Sequence, residues 1–132
     1  MRLPNYGRTN AGSRPTEGDA ALQFNDLRNT YSVTGAGVAV GLISDGIFGI
    51  TDALASGNLP ASALNRDGGD KLISTTGGVT AVSFRADGDL EAGLSNGSKG
   101  AEGTAMLEIV HDIAPDANLR FANFATDLEF MA

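Results

Sequence analysis

Residues 38–46, Val38-Ala39-Val40-Gly41-Leu42-Ile43-Ser44-Asp45-Gly46, decide the fold. From Val38 to Ser44 the run is apolar at odd and even positions alike. It is rich in branched residues, with the Gly35-Ala36-Gly37 turn before it and Asp45-Gly46 after it. A strand wetted on one face would alternate apolar and polar residues. A run that is apolar on both faces suits a strand buried on both sides in a parallel sheet. Asp45 then stands just past the carboxyl end of a buried strand, where ligands and reacting groups gather in parallel α/β sheets. The structural alternative for an aspartate at that point is an Asx-turn or a helix cap.

Upstream, Thr16-Glu17-Gly18-Asp19 resembles a capping box. Ala20, Phe24, Leu27 and Tyr31 follow at helical spacing, so one helix is predicted, ending near Thr30, with those four on its buried face. Downstream, residues 51–56 read as a short helix stopped by Gly57. Residues 59–78 read as loop, 79–85 as a strand and 87–100 as a Gly-rich loop. The strongest helix is predicted over 101–113, ended by Ala114-Pro115, since the residue before proline avoids the helical region. A strand over 119–125 follows it. This alternation predicts an α/β fold built on a parallel sheet. Residues 1–16 carry Arg2, Arg8 and Arg14, two prolines and no acid, and read as a flexible arm. Residues 17–132 are the domain.

The 132-residue length is that of one domain, and 42% apolar with 19% charged residues argues against disorder. A formal charge of -7 and a pI near 4.4 leave no basic face for nucleic acid or for an anionic membrane surface. No apolar run reaches transmembrane length, and no secretory leader is read within these residues. The chain has no cysteine, so disulfides, thiolate nucleophiles and cysteine metal sites are excluded. Its single histidine, His111, excludes a multi-histidine zinc site.

Glu102 is the second residue of chemical interest. Glu102, Met106, Ile109 and Ile113 share one helix face by spacing, broadened by Ala105 and Val110, whereas Thr104, Glu108, His111 and Asp112 fall on the side expected to be solvated. The helix dipole favours an acid in the first turn by about 0.3–1 kcal/mol, but that benefit does not require the inward side. Burying an ionised carboxylate costs several kcal/mol unless it is partnered. Two inward acids, Asp45 at a strand end and Glu102 at a helix start, are therefore expected to share a proton and serve acid–base chemistry. Other motifs fail their tests. Gly35-Ala36-Gly37 precedes its strand where a dinucleotide fingerprint follows one, and Gly97-Ser98-Lys99-Gly100 has the wrong order for a phosphate loop. Asp87-Gly88-Asp89-Leu90-Glu91 alternates acids as calcium loops do. Ala92 and Ser98 break the calcium-loop pattern, so the stretch reads as a solvated acidic loop, with calcium binding as the alternative, and no other cofactor is expected. Gly93-Leu94-Ser95-Asn96-Gly97 has the Gly-x-Ser-x-Gly spacing but falls inside the Gly-rich loop read over 87–100 rather than between a strand and a helix, so no nucleophile elbow is read.

Residues 34–47, TGAGVAVGLISDGI, resemble the first active-site region of subtilisin-like serine proteases, where a Gly-rich turn leads into a strand ending in the catalytic Asp. Residues 102–124, EGTAMLEIVHDIAPDANLRFANF, resemble the second region, where the family has His-Gly-Thr at a helix start, then an Ala-Pro turn and a strand. The lead-in over 17–37 is similar to the segment before the Asp in bacterial members. The resemblance implies a three-layer, parallel-sheet subtilisin-like fold, incomplete here, and serine endopeptidase activity on a polypeptide substrate. It implies Asp45 as the catalytic acid and matches Gly103-Thr104 to the family's Gly-Thr. The histidine position is Glu102. The related sedolisins use Ser-Glu-Asp, but their acidic partner one turn later is Met106 here, which leaves Asp45 as the implied partner. The family's Gly-Thr-Ser motif and oxyanion-hole region are absent. The resemblance thus implies a further partner, the C-terminal part of the domain, and an extracellular or cell-envelope location. Without nucleophile or oxyanion donors this chain alone is expected to hydrolyse nothing. Two alternatives stay open: a non-catalytic subtilase-like module, and an unrelated flavodoxin-like domain using Asp45 at a switch point. The fragment reading further predicts a sheet with exposed apolar edges.

Overall fold

In the computed structural model, residues 16–95 and 97–131 are described. The arm expected over residues 1–16 lies, Thr16 apart, outside them. The elements run α1 (Glu17–Ala21), α2 (Phe24–Tyr31), β1 (Ala39–Ser44), α3 (Ile50–Ala55), β2 (Ser62–Arg66), β3 (Leu72–Gly77), β4 (Val79–Ser83), α4 (Glu102–Ile113), β5 (Asn118–Asn123) and α5 (Asp127–Met131). The strands form one sheet in the order β1-β5-β4-β3-β2. β1, β5 and β4 are parallel, while β3 and β2 are antiparallel additions. The protein is therefore α/β with a mixed sheet, not the all-parallel one expected.

The departure lies in residues 59–78, read from sequence as loop. They hold the β2–β3 hairpin. Its turn is organised by Asp67, whose Oδ1 accepts hydrogen bonds from Gly69 N at 2.9 Å and Lys71 N at 3.0 Å. Those amides hold the Asp67 carboxyl below its ordinary range. The Asp-Gly-Gly-Asp stretch was a hairpin signal in its own right, obscured because its flanking strands are short and rich in Ser, Thr and Asn.

One face of the sheet carries the core. Val79, Ala81, Leu119 and Phe121 pack with Leu72 of β3, Leu107 of α4, Ile50 of α3, and Ile47, Leu59 and Leu90 from the connections. Ile43 and Val82 lie on the opposite face and are 54% and 48% exposed. The described residues thus form two layers rather than the three expected. β1 is an edge strand whose Val40 and Leu42 are half-buried against the core while Ala39, Gly41 and Ile43 are exposed. The expectation that it is buried on both faces is not met, because among the described residues no element lies over its second face.

The N-terminal helix is broken. Gln23 takes a left-handed conformation (φ 57°) between α1 and α2, and Thr16 makes no side-chain cap. The expected apolar stripe is not what docks: Leu27 and Tyr31 are exposed, and the buried residues are Asp19 and Arg28. Arg28 pairs with Asp19 at 2.8 Å and donates to the Ile113 carbonyl at 3.0 Å, while Thr16 N donates to Asp112 Oδ2 at 2.7 Å. A cation on the terminal carbonyls of α4 satisfies groups that have no partner within the helix. Asp19→Ala leaves the Arg28 guanidinium buried and half-partnered. It is expected to lower stability by about 3 kcal/mol in urea denaturation; a loss below about 1 kcal/mol would mean that the pair is solvated. Gly103→Ala is expected to cost about 1–3 kcal/mol by overpacking, because its β-carbon would run into the Phe121 ring and the Gly46 carbonyl.

Candidate functional site

Asp45 leaves β1 as predicted, at the carboxyl end of the parallel strands. The chain then turns sharply into a loop that interlocks with the residues before α4. Ile47 N donates to the Leu90 carbonyl at 2.8 Å, Phe48 N to the Gly100 carbonyl at 2.7 Å, and Gly103 N to the Gly46 carbonyl at 2.9 Å. Gly100 permits one of these close approaches, since a β-carbon there would stand 2.6 Å from the Asp45 carboxyl carbon. The Asp45 carboxylate is therefore half-buried over the backbone that leads into α4, and its Oδ1 is buried without a hydrogen-bond partner among the described residues.

Glu102 opens α4 beside it. Its Oε2 accepts a hydrogen bond from Ser44 Oγ at 2.9 Å. Ser44 is buried and directly precedes Asp45, so both carboxylates belong to one corner of the molecule. Among the described residues no hydrogen bond joins one carboxylate to the other, and the direct partner of Glu102 is the Ser44 hydroxyl.

The face of α4 that meets the core differs from the expectation. Gly103, Thr104, Leu107, His111 and Asp112 are buried, while Glu102 and Ile109 are exposed and Met106 and Ile113 are half-buried. Two things favour the observed rotation. Gly103 lets the helix close on Phe121. The buried polar groups also find partners, with Thr104 Oγ1 donating to the Phe48 carbonyl at 3.1 Å and Asp112 accepting from Thr16 N. Glu102 is thus a tethered surface carboxylate rather than an inward one, and His111, read as a surface residue, is 4% exposed.

Sequence reading missed two residues here. Ser44 is one. The other is Asn123, fully buried at the end of β5, whose Nδ2 donates to the Asp89 carbonyl at 2.8 Å and to the Asp45 carbonyl at 3.3 Å. A lone amide within the apolar run Leu119–Ala125 was the available signal, because a buried polar side chain persists only where it has partners.

The acidic loop at 87–91 is bound up with cations and amides. Asp87 accepts from Arg85 Nε and Nη2 and from Asp89 N, and Asp89 Oδ1 accepts from Glu91 N. Glu91 is paired with Arg66 at 2.9 Å, and Lys99 approaches both Asp89 and Glu91 at 3.6 Å. Among the described residues no group of three or more potential metal-ligating side chains is gathered. A hollow of about 280 Å³ lies away from the carboxylates, on the open sheet face between Ile43, Thr80, Val82 and Arg120.

No protein-family model matches this chain, and neither a curated protein nor a solved structure matches it.

Two outcomes follow from this geometry. Ser44→Ala is expected to lower stability by about 0.5–1.5 kcal/mol and to let the Glu102 side chain sample several rotamers, read from side-chain NMR couplings; an unchanged rotamer would mean that Ser44 does not hold it. The Arg85 hydrogen bonds hold the Asp87 carboxyl at about 2, below its ordinary 3.8. Its contribution to stability is therefore full above pH 3.8 and is lost as pH falls through about 2. Asp87 is half-exposed, so the effect is small. Wild type is expected to be more stable than Asp87→Asn above pH 3.8, with the difference vanishing near pH 2.

Proposed function

We propose that this chain is the leading part of a subtilisin-like serine endopeptidase domain, carrying the acid and the base but not the nucleophile. In this reading Glu102 is the general base and takes the proton of a serine hydroxyl as that oxygen attacks a peptide carbonyl. Asp45 orients Glu102 and supports it electrostatically as a proton acceptor from the strand end. The serine and the oxyanion donors come from polypeptide outside these residues, the C-terminal part of the domain. The substrate is a polypeptide, and an extracellular or cell-envelope location goes with the family. Among the described residues no helix is long and apolar enough to cross a membrane.

The observation that carries the proposal is the pairing of Ser44 with Glu102. It brings the start of α4 to the carboxyl end of β1, so the two residues that match the family's acid and histidine positions stand at one corner. One further feature supports it: Asp45 Oδ1 is buried without a hydrogen-bond partner among the described residues. Glu102, by contrast, is exposed.

That same exposure favours a second reading, a non-catalytic module of the same architecture. A base used in catalysis gains from exclusion of water, and Glu102 is not shielded by the described residues. The 132-residue chain alone is expected to turn over no casein-type substrate from acidic to neutral pH; turnover that Asp45→Ala abolishes would overturn the placement of the nucleophile elsewhere. In a polypeptide that adds an in-frame Gly-Thr-Ser segment, Glu102→Gln is expected to lower turnover by about 10⁴-fold. Undiminished turnover, or none before the substitution, would favour the module.

A further inference from the structure

The loop after β4 carries three consecutive carbonyls, each bonded to a different part of the Asp45 corner. The Leu90 carbonyl accepts from Ile47 N at 2.8 Å, on the exit from β1, and the Glu91 carbonyl accepts from Gly100 N at 3.0 Å, on the approach to α4. The Asp89 carbonyl accepts from Asn123 Nδ2 at 2.8 Å, and the same nitrogen reaches the Asp45 carbonyl at 3.3 Å. The first two bonds come from the backbone, so any residue but proline supplies them. The third comes from a side chain and needs two N–H donors on one nitrogen. Asn123 ends β5, the strand between β1 and β4, in register with Ser44 on one side and Ser83 on the other. From there it reaches the loops that leave both neighbouring strands. It is fully buried, and among the described residues its Oδ1 takes no hydrogen bond. A buried amide is costly unless it is bonded, and the end of this one that is bonded is its pair of donors.

We propose that Asn123 is the positioning residue of Asp45. Its amide holds the Asp45 and Asp89 carbonyls to one nitrogen, which fixes the peptide after Asp45 against the 89–91 segment. Pinning that peptide sets the backbone from which the Asp45 carboxylate is aimed. The carboxylate then lies over Gly100, itself held by the Glu91 carbonyl of the same segment. A leucine of similar size at 123 has no donor and releases both carbonyls. The inference rests on the reading of Asp45 as the acid that orients Glu102. Asn123 acts through Asp45 alone, by keeping it in the geometry that orientation requires. The aim of Asp45 is nevertheless a property of this chain and is measured without turnover.

The α–β proton couplings of Asp45 read its aim, and hydrogen exchange of the Asn123 side-chain amide reads the tie. In the wild-type chain Asp45 is expected to hold one χ1 rotamer, and the Asn123 amide protons to exchange far more slowly than those of the exposed Asn29. Asn123→Leu is expected to lose the single rotamer at Asp45. Where that variant does not fold, Asn123→Ser replaces it with the same expected loss, since one hydroxyl proton serves one carbonyl at most. Thr75→Val removes another buried donor of the same sheet, one bonded to the Val79 carbonyl, and is expected to leave Asp45 unchanged. Averaging at Asp45 in Thr75→Val as well would mean general loosening of the sheet and overturn the proposal. So would a single Asp45 rotamer kept by the Asn123 variants, or fast exchange of the Asn123 amide in the wild type. In the polypeptide that adds a Gly-Thr-Ser segment, Asn123→Ser is expected to lower kcat about 100-fold with KM unchanged; unchanged turnover, or a loss confined to KM, would overturn the positioning role. No turnover before the substitution overturns the protease reading instead, and the couplings alone then decide whether Asn123 aims Asp45.

Discussion

The exit from β1 and the approach to α4 occupy the same space, and the rest of the site follows from that constraint. Three backbone hydrogen bonds, from Ile47 to Leu90, Phe48 to Gly100 and Gly103 to Gly46, join segments more than forty residues apart in sequence. Closing such loops costs entropy that grows only slowly with loop length, and the bonds repay it because the groups they satisfy are buried. Gly100 and Gly103 are required by this arrangement. One lies against the Asp45 carboxylate and the other against Phe121, and neither position has room for a side chain.

From that interlock comes the relation between the two carboxylates. Asp45 is held half-buried over the backbone leading into α4, while Glu102 is held at the surface by the Ser44 hydroxyl. They are neighbours through Ser44 and Asp45 being consecutive, not through a bond between their side chains. The chemistry open to the pair is therefore asymmetric: a positioned, partly desolvated charge beside an accessible one. The proposed orienting acid and proton acceptor rest on this asymmetry, and so does the alternative of a non-catalytic module.

The parts of the fold that could be read beforehand are those where local chemistry and tertiary context agree. β1, α4 and β5 were legible because long apolar runs, Gly-rich turns and the Ala114-Pro115 stop leave few alternatives. The hairpin at 62–77 was not, since Ser62–Arg66 and Leu72–Gly77 pair on the strength of backbone bonds and an Asp67 turn rather than an apolar pattern. The N-terminal helix was misread because the residues that dock it are a buried Asp19–Arg28 pair, invisible to a search for apolar spacing.

The sequence by itself determined that Asp45 ends an apolar strand and that Glu102 begins a helix, because strand and helix limits are set by nearby glycines, prolines and side-chain spacing. Which way Glu102 faces was decided only by tertiary structure. The face of α4 containing Gly103, Thr104, Leu107 and His111 prevails over the more apolar one because it fits against Phe121 and satisfies its polar groups. Tertiary structure also decided that β1, apolar on both sides, lies at the margin of the sheet: neighbours are chosen by pairing across the whole chain, which no local pattern records.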